Sequence, residues 1–153
     1  MKLISKSLDD TKKLGEKIGF ILKPGDIICL IGDLGTGKTT LTQAIAKGMG
    51  IKDQVSSATF TLIREYYSKV NLYHFDVYRL DQCQSDYLGF DEYFFSEDGA
   101  CVIEWADKIE DLLPEDRLEI RIKRISENER EFDIEAKGER SEEILGVIFS
   151  CWF

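Results

Sequence analysis

Residues 27–39 read IICLIGDLGTGKT: an apolar run, then a loop carrying Gly32, Gly35 and Gly37, closed by Lys38 and Thr39. A continuous apolar run reads as a strand buried on both faces of a parallel sheet. Glycine weakens regular structure, so this spacing asks for a backbone that curls where other residues resist. The segment TLTQAIAKGMG follows, with Leu41, Ile45 and Met49 on one face. That spacing predicts a helix from about Lys38 to Met49, stopped by Gly50. Strand, curled loop and helix occur in the order that the pattern GxxxxGK[ST] requires, and the match holds at each fixed position.

Each position of such a loop has a physical task. The glycines let successive backbone N–H groups point at a polyphosphate, and the helix start adds its dipole and unpaired amides. The expected nucleotide contacts are Asp33, Leu34, Gly35, Thr36, Gly37, Lys38, Thr39 and Thr40. Lys38 would reach the β- and γ-phosphates, and the Thr39 hydroxyl would bind Mg²⁺. No guanine-reading NKxD string occurs, and Asp86-Tyr87-Leu88-Gly89 is only a weak DxxG match, so ATP is favoured over GTP.

A magnesium site of this kind also needs an acid at the end of a neighbouring strand. Glu104, closing the apolar run ACVI, and Asp76, late in LYHFDVY, are both candidates. Either could also orient the attacking water, and the residues do not choose between them. Thr59 and Thr61 lie where such enzymes often place a loop that closes on the γ-phosphate, although a plain connection reads equally well. Arg64 and Arg79 are candidates for stabilising transition-state charge, a role that surface ion pairs explain as easily. With no certain arginine finger, slow turnover by the isolated chain is expected.

At 153 residues the chain is expected to form one ATPase domain over 1–153, with 146–153 an apolar tail. The N-terminus turns polar too soon for a secretory signal, and no apolar run approaches the roughly 20 residues of a membrane helix. A cytoplasmic protein without membrane contact is expected. Cys29, Cys83, Cys101 and Cys151 have no metal-binding spacing and read as reduced structural thiols. The single histidine, His74, reads as a strand residue without a catalytic role. A net charge of −9, from 20 basic and 29 acidic residues, excludes a chain built as a tight autonomous nucleic-acid binder.

Elsewhere, Ser7 starts a helix striped by Leu14, Ile18, Ile21 and Leu22. LIREYY, LYHFDVY and ACVIEW read as strands, a brief helix is expected from Asp107 to Leu113, and Ser141–Phe153 reads as another. RLEIRIKRI and EFDIEA alternate cleanly around a polar turn and form an antiparallel hairpin. The expected class is α/β: a P-loop NTPase sandwich with a mostly parallel central sheet and a C-terminal antiparallel hairpin.

A small-molecule kinase is the alternative on the same nucleotide site. The region between Leu80 and Ala100 argues against it, being acidic and devoid of arginine and lysine where a kinase lid needs cations. In order, GDLGTGKTTL, VSSATFTLIREY, YHFDVYRL, GFDEYF and VIEWADKIEDLLP resemble the bacterial TsaE (formerly YjeE) ATPases over about residues 1–140. The resemblance implies an ATPase that supports threonylcarbamoyladenosine modification of tRNA by acting with the TsaB–TsaD pair. It also implies that Lys38 contacts phosphate and that Thr39 with Glu104 holds magnesium. Further implications are that Asp76 is a functional acid, Trp105 lies beside the site, Thr59 belongs to a mobile loop and Thr11 approaches the base.

Ala58 departs from the family's usual proline, and the tail after Gly146 has no family counterpart. Arg117, Arg121 and Lys123 fall on the outward face of the hairpin, beside Arg124. That face is either a solvated surface or a weak basic contact for tRNA or an acidic partner.

Overall fold

The strands that the alternating and apolar runs form are β1 Lys2–Ser5, β2 Ile27–Ile31, β3 Ile63–Tyr66, β4 Asn71–Asp76, β5 Gly99–Glu104, β6 Leu118–Arg124 and β7 Arg130–Ala136. The helices are α1 Leu8–Ile21, α2 Lys38–Gly48, α3 Phe90–Phe94 and α4 Glu139–Trp152, with a 3-10 helix at Ala106–Leu112. The computed structural model describes residues 1–56, 62–80 and 89–152. Thr59, Thr61, Ala58, Cys83 and most of the DxxG string lie outside the described residues.

The strands form one seven-stranded sheet in the order β1-β7-β6-β2-β5-β4-β3. Its four inner strands, β6, β2, β5 and β4, run parallel. Both flanks are antiparallel: the β6–β7 hairpin with β1 on one side, β3 on the other. The expected parallel centre and late hairpin are present. The N-terminal strand was missed, because four residues give too short a window for a period to show.

Alternation within the strands divides the apolar residues between two faces. Ile28, Leu30, Val102, Ile120 and Phe132 meet Leu14 and Ile18 of α1, Leu41 and Ile45 of α2, and Ile144 and Ile148 of α4. On the opposite face Cys29, Phe75, Cys101 and Ile103 pack with Phe90 and Phe94 of α3 and with Ile109. Cys29 and Cys101 are therefore buried, and burial pushes both thiols well above the usual thiol range.

Ser7 caps α1, its side chain accepting from Asp10 N at 3.2 Å. Helices α1 and α2 then approach so closely that a Cβ on Gly19 would stand 2.0 Å from the Ile45 carbonyl oxygen. Residues 146–152 of the apolar tail are the end of α4, whose Ile144 and Ile148 belong to the core.

The brief helix expected after β5 is present one residue earlier, as a 3-10 helix over Ala106–Leu112 kinked at Ile109. On the outward hairpin face bases and acids alternate: Glu131 and Asp133 stand opposite Lys123 and Arg121, Glu135 stands opposite Glu119, Arg124 stands opposite Arg130, and Arg117 and Arg121 both pair with Glu119. A cross-strand acid thus stands against Arg121 and against Lys123, whereas Arg124 faces a second arginine. Among the described residues no helix is long and apolar enough to cross a membrane.

Candidate functional site

Strand β2 ends at Ile31, and the chain curls through Gly35 at φ +78° and Gly37 at φ +103° before α2 begins at Lys38. These angles lie where a side chain is disfavoured, which is the reason for glycine at both points. Thr36 ties the curl from inside, its hydroxyl donating to the Asp33 carbonyl at 2.9 Å. Among the described residues nothing lies within 4 Å of where a Gly35 Cβ would stand, so the loop is open there.

Lys38 is folded onto this loop. Its Nζ donates to the carbonyls of Gly32 at 2.6 Å and Asp33 at 2.7 Å, and lies 4.0 Å from the centre of the Trp105 ring. Burial lowers the Lys38 pKa, against the opposing pull of the nearby Glu104 and Asp76 carboxylates. The amine is thus a cation held by loop carbonyls and an aromatic face, with the Glu104 and Asp76 carboxylates nearby.

The acids arrive from neighbouring strands. Asp76 and Glu104 stand in register at the C-terminal ends of β4 and β5, and Leu30 of β2 is in register with Glu104. Both acids are almost fully buried. Thr39 Oγ1 donates to Glu104 Oε1 at 3.0 Å. Asp76 Oδ1 accepts from Tyr78 N at 3.0 Å, a turn that sets the Tyr78 ring 4.7 Å from Trp105. Trp105 has φ +62°, a left-handed backbone costing a non-glycine residue about 1–3 kcal/mol. That turn lays its ring over Lys38.

These groups line a cavity of about 570 Å³ that takes in Leu34, Gly35, Gly37, Lys38, Thr39, Thr40, Asp76, Arg79, Glu104 and Trp105. Thr11 stands apart from it, in an adjoining cavity of about 260 Å³ shared with Thr36, Gly37, Thr40 and Asn128. Buried against Ser5 Oγ at 2.8 Å, Thr11 is brought to the loop by the close packing of α1 on α2. Arg64, on β3, does not line either cavity. Among the described residues no group of three or more His, Cys, Asp or Glu side chains could hold a metal by itself. A magnesium ion that keeps waters and takes ligands from a phosphate needs no such group.

Two residues make contacts at the site that the sequence reading did not assign to them. Arg130, at the start of β7, donates from Nε to the Thr36 carbonyl at 2.9 Å and from Nη1 to Ser126 O at 2.8 Å. It thereby ties the hairpin turn to the glycine loop and lines both cavities. His74, fully buried on β4, bonds through Nε2 to Glu104 Oε2. Its i−2 spacing from Asp76 was the available signal, since alternate strand residues share a face.

The protein-family model described as "Threonylcarbamoyl adenosine biosynthesis protein TsaE" matches residues 5–132. The tRNA threonylcarbamoyladenosine biosynthesis protein TsaE of Bacillus subtilis (strain 168) is 48% identical over 135 residues, covering 88% of this chain and 84% of that one. The protein of the same name from Aquifex aeolicus (strain VF5) is 40% identical over 141 residues, covering 89% and 96%. That of Treponema pallidum (strain Nichols) is 35% identical, covering 88% and 99%. Among solved structures, the crystal structure of YdiB from Bacillus subtilis is similar with a TM-score of 0.83 at 39% identity, over 99% of this chain and 95% of that one.

Proposed function

The chain belongs to the TsaE family of threonylcarbamoyl adenosine biosynthesis proteins, and from that premise we propose that it is a magnesium-dependent ATPase serving tRNA modification. In this reading residues 1–153 form one domain with a P-loop NTPase fold, cytoplasmic like its tRNA pathway. It acts with the TsaB–TsaD pair, meets tRNA indirectly or through a weak basic face, and turns over slowly without those partners.

The single observation that carries the reading is the meeting of Thr39 and Glu104 beside the glycine loop. A hydroxyl and a buried carboxylate 3.0 Å apart are the hard oxygen donors that Mg²⁺ prefers. The open curl at Gly35 and the inward Lys38 amine fit a polyphosphate in the same cleft. Thr39 and Glu104 would hold the ion, directly or through its waters. Bound there, magnesium would supply positive charge to phosphate oxygens as the γ-phosphate leaves.

The chain's own residues supply the rest. The loop amides would orient the phosphates, and Lys38 would exchange the Gly32 and Asp33 carbonyls for phosphate oxygens. Asp76, in register with Glu104, would accept a hydrogen bond from the attacking water. Trp105 and Tyr78 would shield one wall of the cleft from solvent. Thr11 would approach the base from the adjoining cavity.

The test is phosphate release from ATP with magnesium, measured for the chain alone, then with TsaB and TsaD, then with tRNA. Slow hydrolysis that rises with the partners is expected. Absence of stimulation, together with phosphoryl transfer to a metabolite, would favour the kinase alternative instead.

A further inference from the structure

Glu104 spends each carboxylate oxygen on a different partner: Thr39 Oγ1 donates to Oε1, and His74 Nε2 donates to Oε2. Strand alternation explains the meeting. His74 is in register with Val102 and Asp76 with Glu104, so all four side chains share the face of the sheet that α2 covers. His74 is wholly buried, and its Nδ1 finds no hydrogen-bond partner among the described residues. A stranded ring nitrogen is a poor choice for filling space, because an apolar side chain of that size would leave no polar atom unpaired. What imidazole adds at this point is the Nε2–H group. Placing the hydrogen on Nε2 also leaves no buried N–H without an acceptor.

We propose that His74 is a positioning residue: by gripping Oε2 it fixes the Glu104 carboxylate so that Oε1 faces Thr39, where magnesium would be bound. This rests on the reading of Thr39 and Glu104 as the metal ligands. Losing a hydrogen bond that orients a ligating group typically costs about 10- to 100-fold in metal affinity. Here the orienting group lies one strand away and is inaccessible to solvent, so the carboxylate cannot rotate without breaking a buried contact.

His74→Phe keeps a ring of similar size and removes the donor, whereas His74→Gln retains a side-chain N–H of similar reach. Magnesium affinity is measured by calorimetry in the presence of ADP, so that no turnover is involved, and ADP affinity is measured without metal. His74→Phe should weaken magnesium about 10- to 100-fold while leaving metal-free ADP binding unchanged, and His74→Gln should recover most of the loss. Equal magnesium affinity in His74→Phe and the parent, or equal losses in both variants, would overturn the proposal.

Because the chain has a single histidine, ¹⁵N-imidazole NMR of the unmutated protein gives a second readout that does not depend on either variant folding. One ring with hydrogen on Nε2, a bare Nδ1 and a shift on adding magnesium and ADP is expected. Hydrogen on Nδ1, or a spectrum indifferent to magnesium, would overturn it. A parent protein that binds no magnesium with nucleotide would sink the metal-site reading itself, while the tautomer would still report the contact with Glu104.

Discussion

Thr39 and Glu104, 65 positions apart, meet at 3.0 Å because β2 and β5 are parallel neighbours whose C-terminal ends open on the same edge of the sheet. The loop leaving β2 must turn into α2 at that edge, and β5 delivers its last residue there. Ligands of open α/β sheets bind in this crevice for the same reason. Asp76 joins the pair because β4 is the next parallel strand in register.

Lys38→Ala should weaken MgATP binding. A charge-assisted hydrogen bond is worth about 1.5–3 kcal/mol, or roughly 10- to 100-fold in the dissociation constant. Calorimetry measures it, and an unchanged constant would mean that the phosphates sit elsewhere.

Lys38 should also shape stability against pH. Burial holds its amine below the ordinary 10.5, so over the window between the lowered value and 10.5 the unfolded chain binds more protons. Stability from this group therefore rises with pH across that window. Urea unfolding of the nucleotide-free protein and of Lys38→Met should diverge in favour of the parent as pH climbs towards the lysine range. A constant difference would contradict the assignment.

Arg130→Met removes the Nε–H bond that restrains the Thr36 carbonyl. MgATP affinity should fall about tenfold, near the lower end of a charged hydrogen bond's worth. Amide exchange across residues 33–37 should quicken. If exchange there stays the same, the guanidinium does not restrain the loop.

Gly19→Ala sets two effects against each other. Alanine gains up to about 1 kcal/mol of helix propensity, but its methyl would meet the Ile45 carbonyl at 2.0 Å, and overpacking costs about 1–3 kcal/mol. A backbone carbonyl inside α2 cannot swing away, so a net loss is expected, read as a lower melting temperature. A more stable variant would show that the helices separate easily.

Asp116 accepts from Arg140 N at 2.9 Å and Ser141 N at 3.0 Å, capping the first turn of α4. Burial raises its pKa, but the hydrogen bonds from Ser141 and Arg140 outweigh burial and hold it below 3.8. Its stabilisation is therefore present above the ordinary carboxylate value and lost as pH falls through the depressed one. Asp116→Ala should cost about 1 kcal/mol near neutrality, with the gap closing in acid. Thermal melts across pH decide it.

The β2 run, the glycine loop and the start of α2 were legible because each depends on residues within a turn of one another. A left-handed φ at Gly37 needs only the absence of a side chain, and the Leu41–Ile45 stripe needs only helical period. The hairpin showed itself by alternation, and Asp76 and Glu104 as acids at strand ends. Local chemistry thus determined the elements and nominated the groups that line the candidate site. Strand order decided the rest. No local period says that β4 lies beside β5, so His74 could not be matched to Glu104. Nor could Arg130 be matched to Thr36, 94 positions away, or Arg121 of β6 to Asp133 opposite it. Those contacts exist because distant backbone groups pair across the sheet, and that pairing is a property of the whole folded chain.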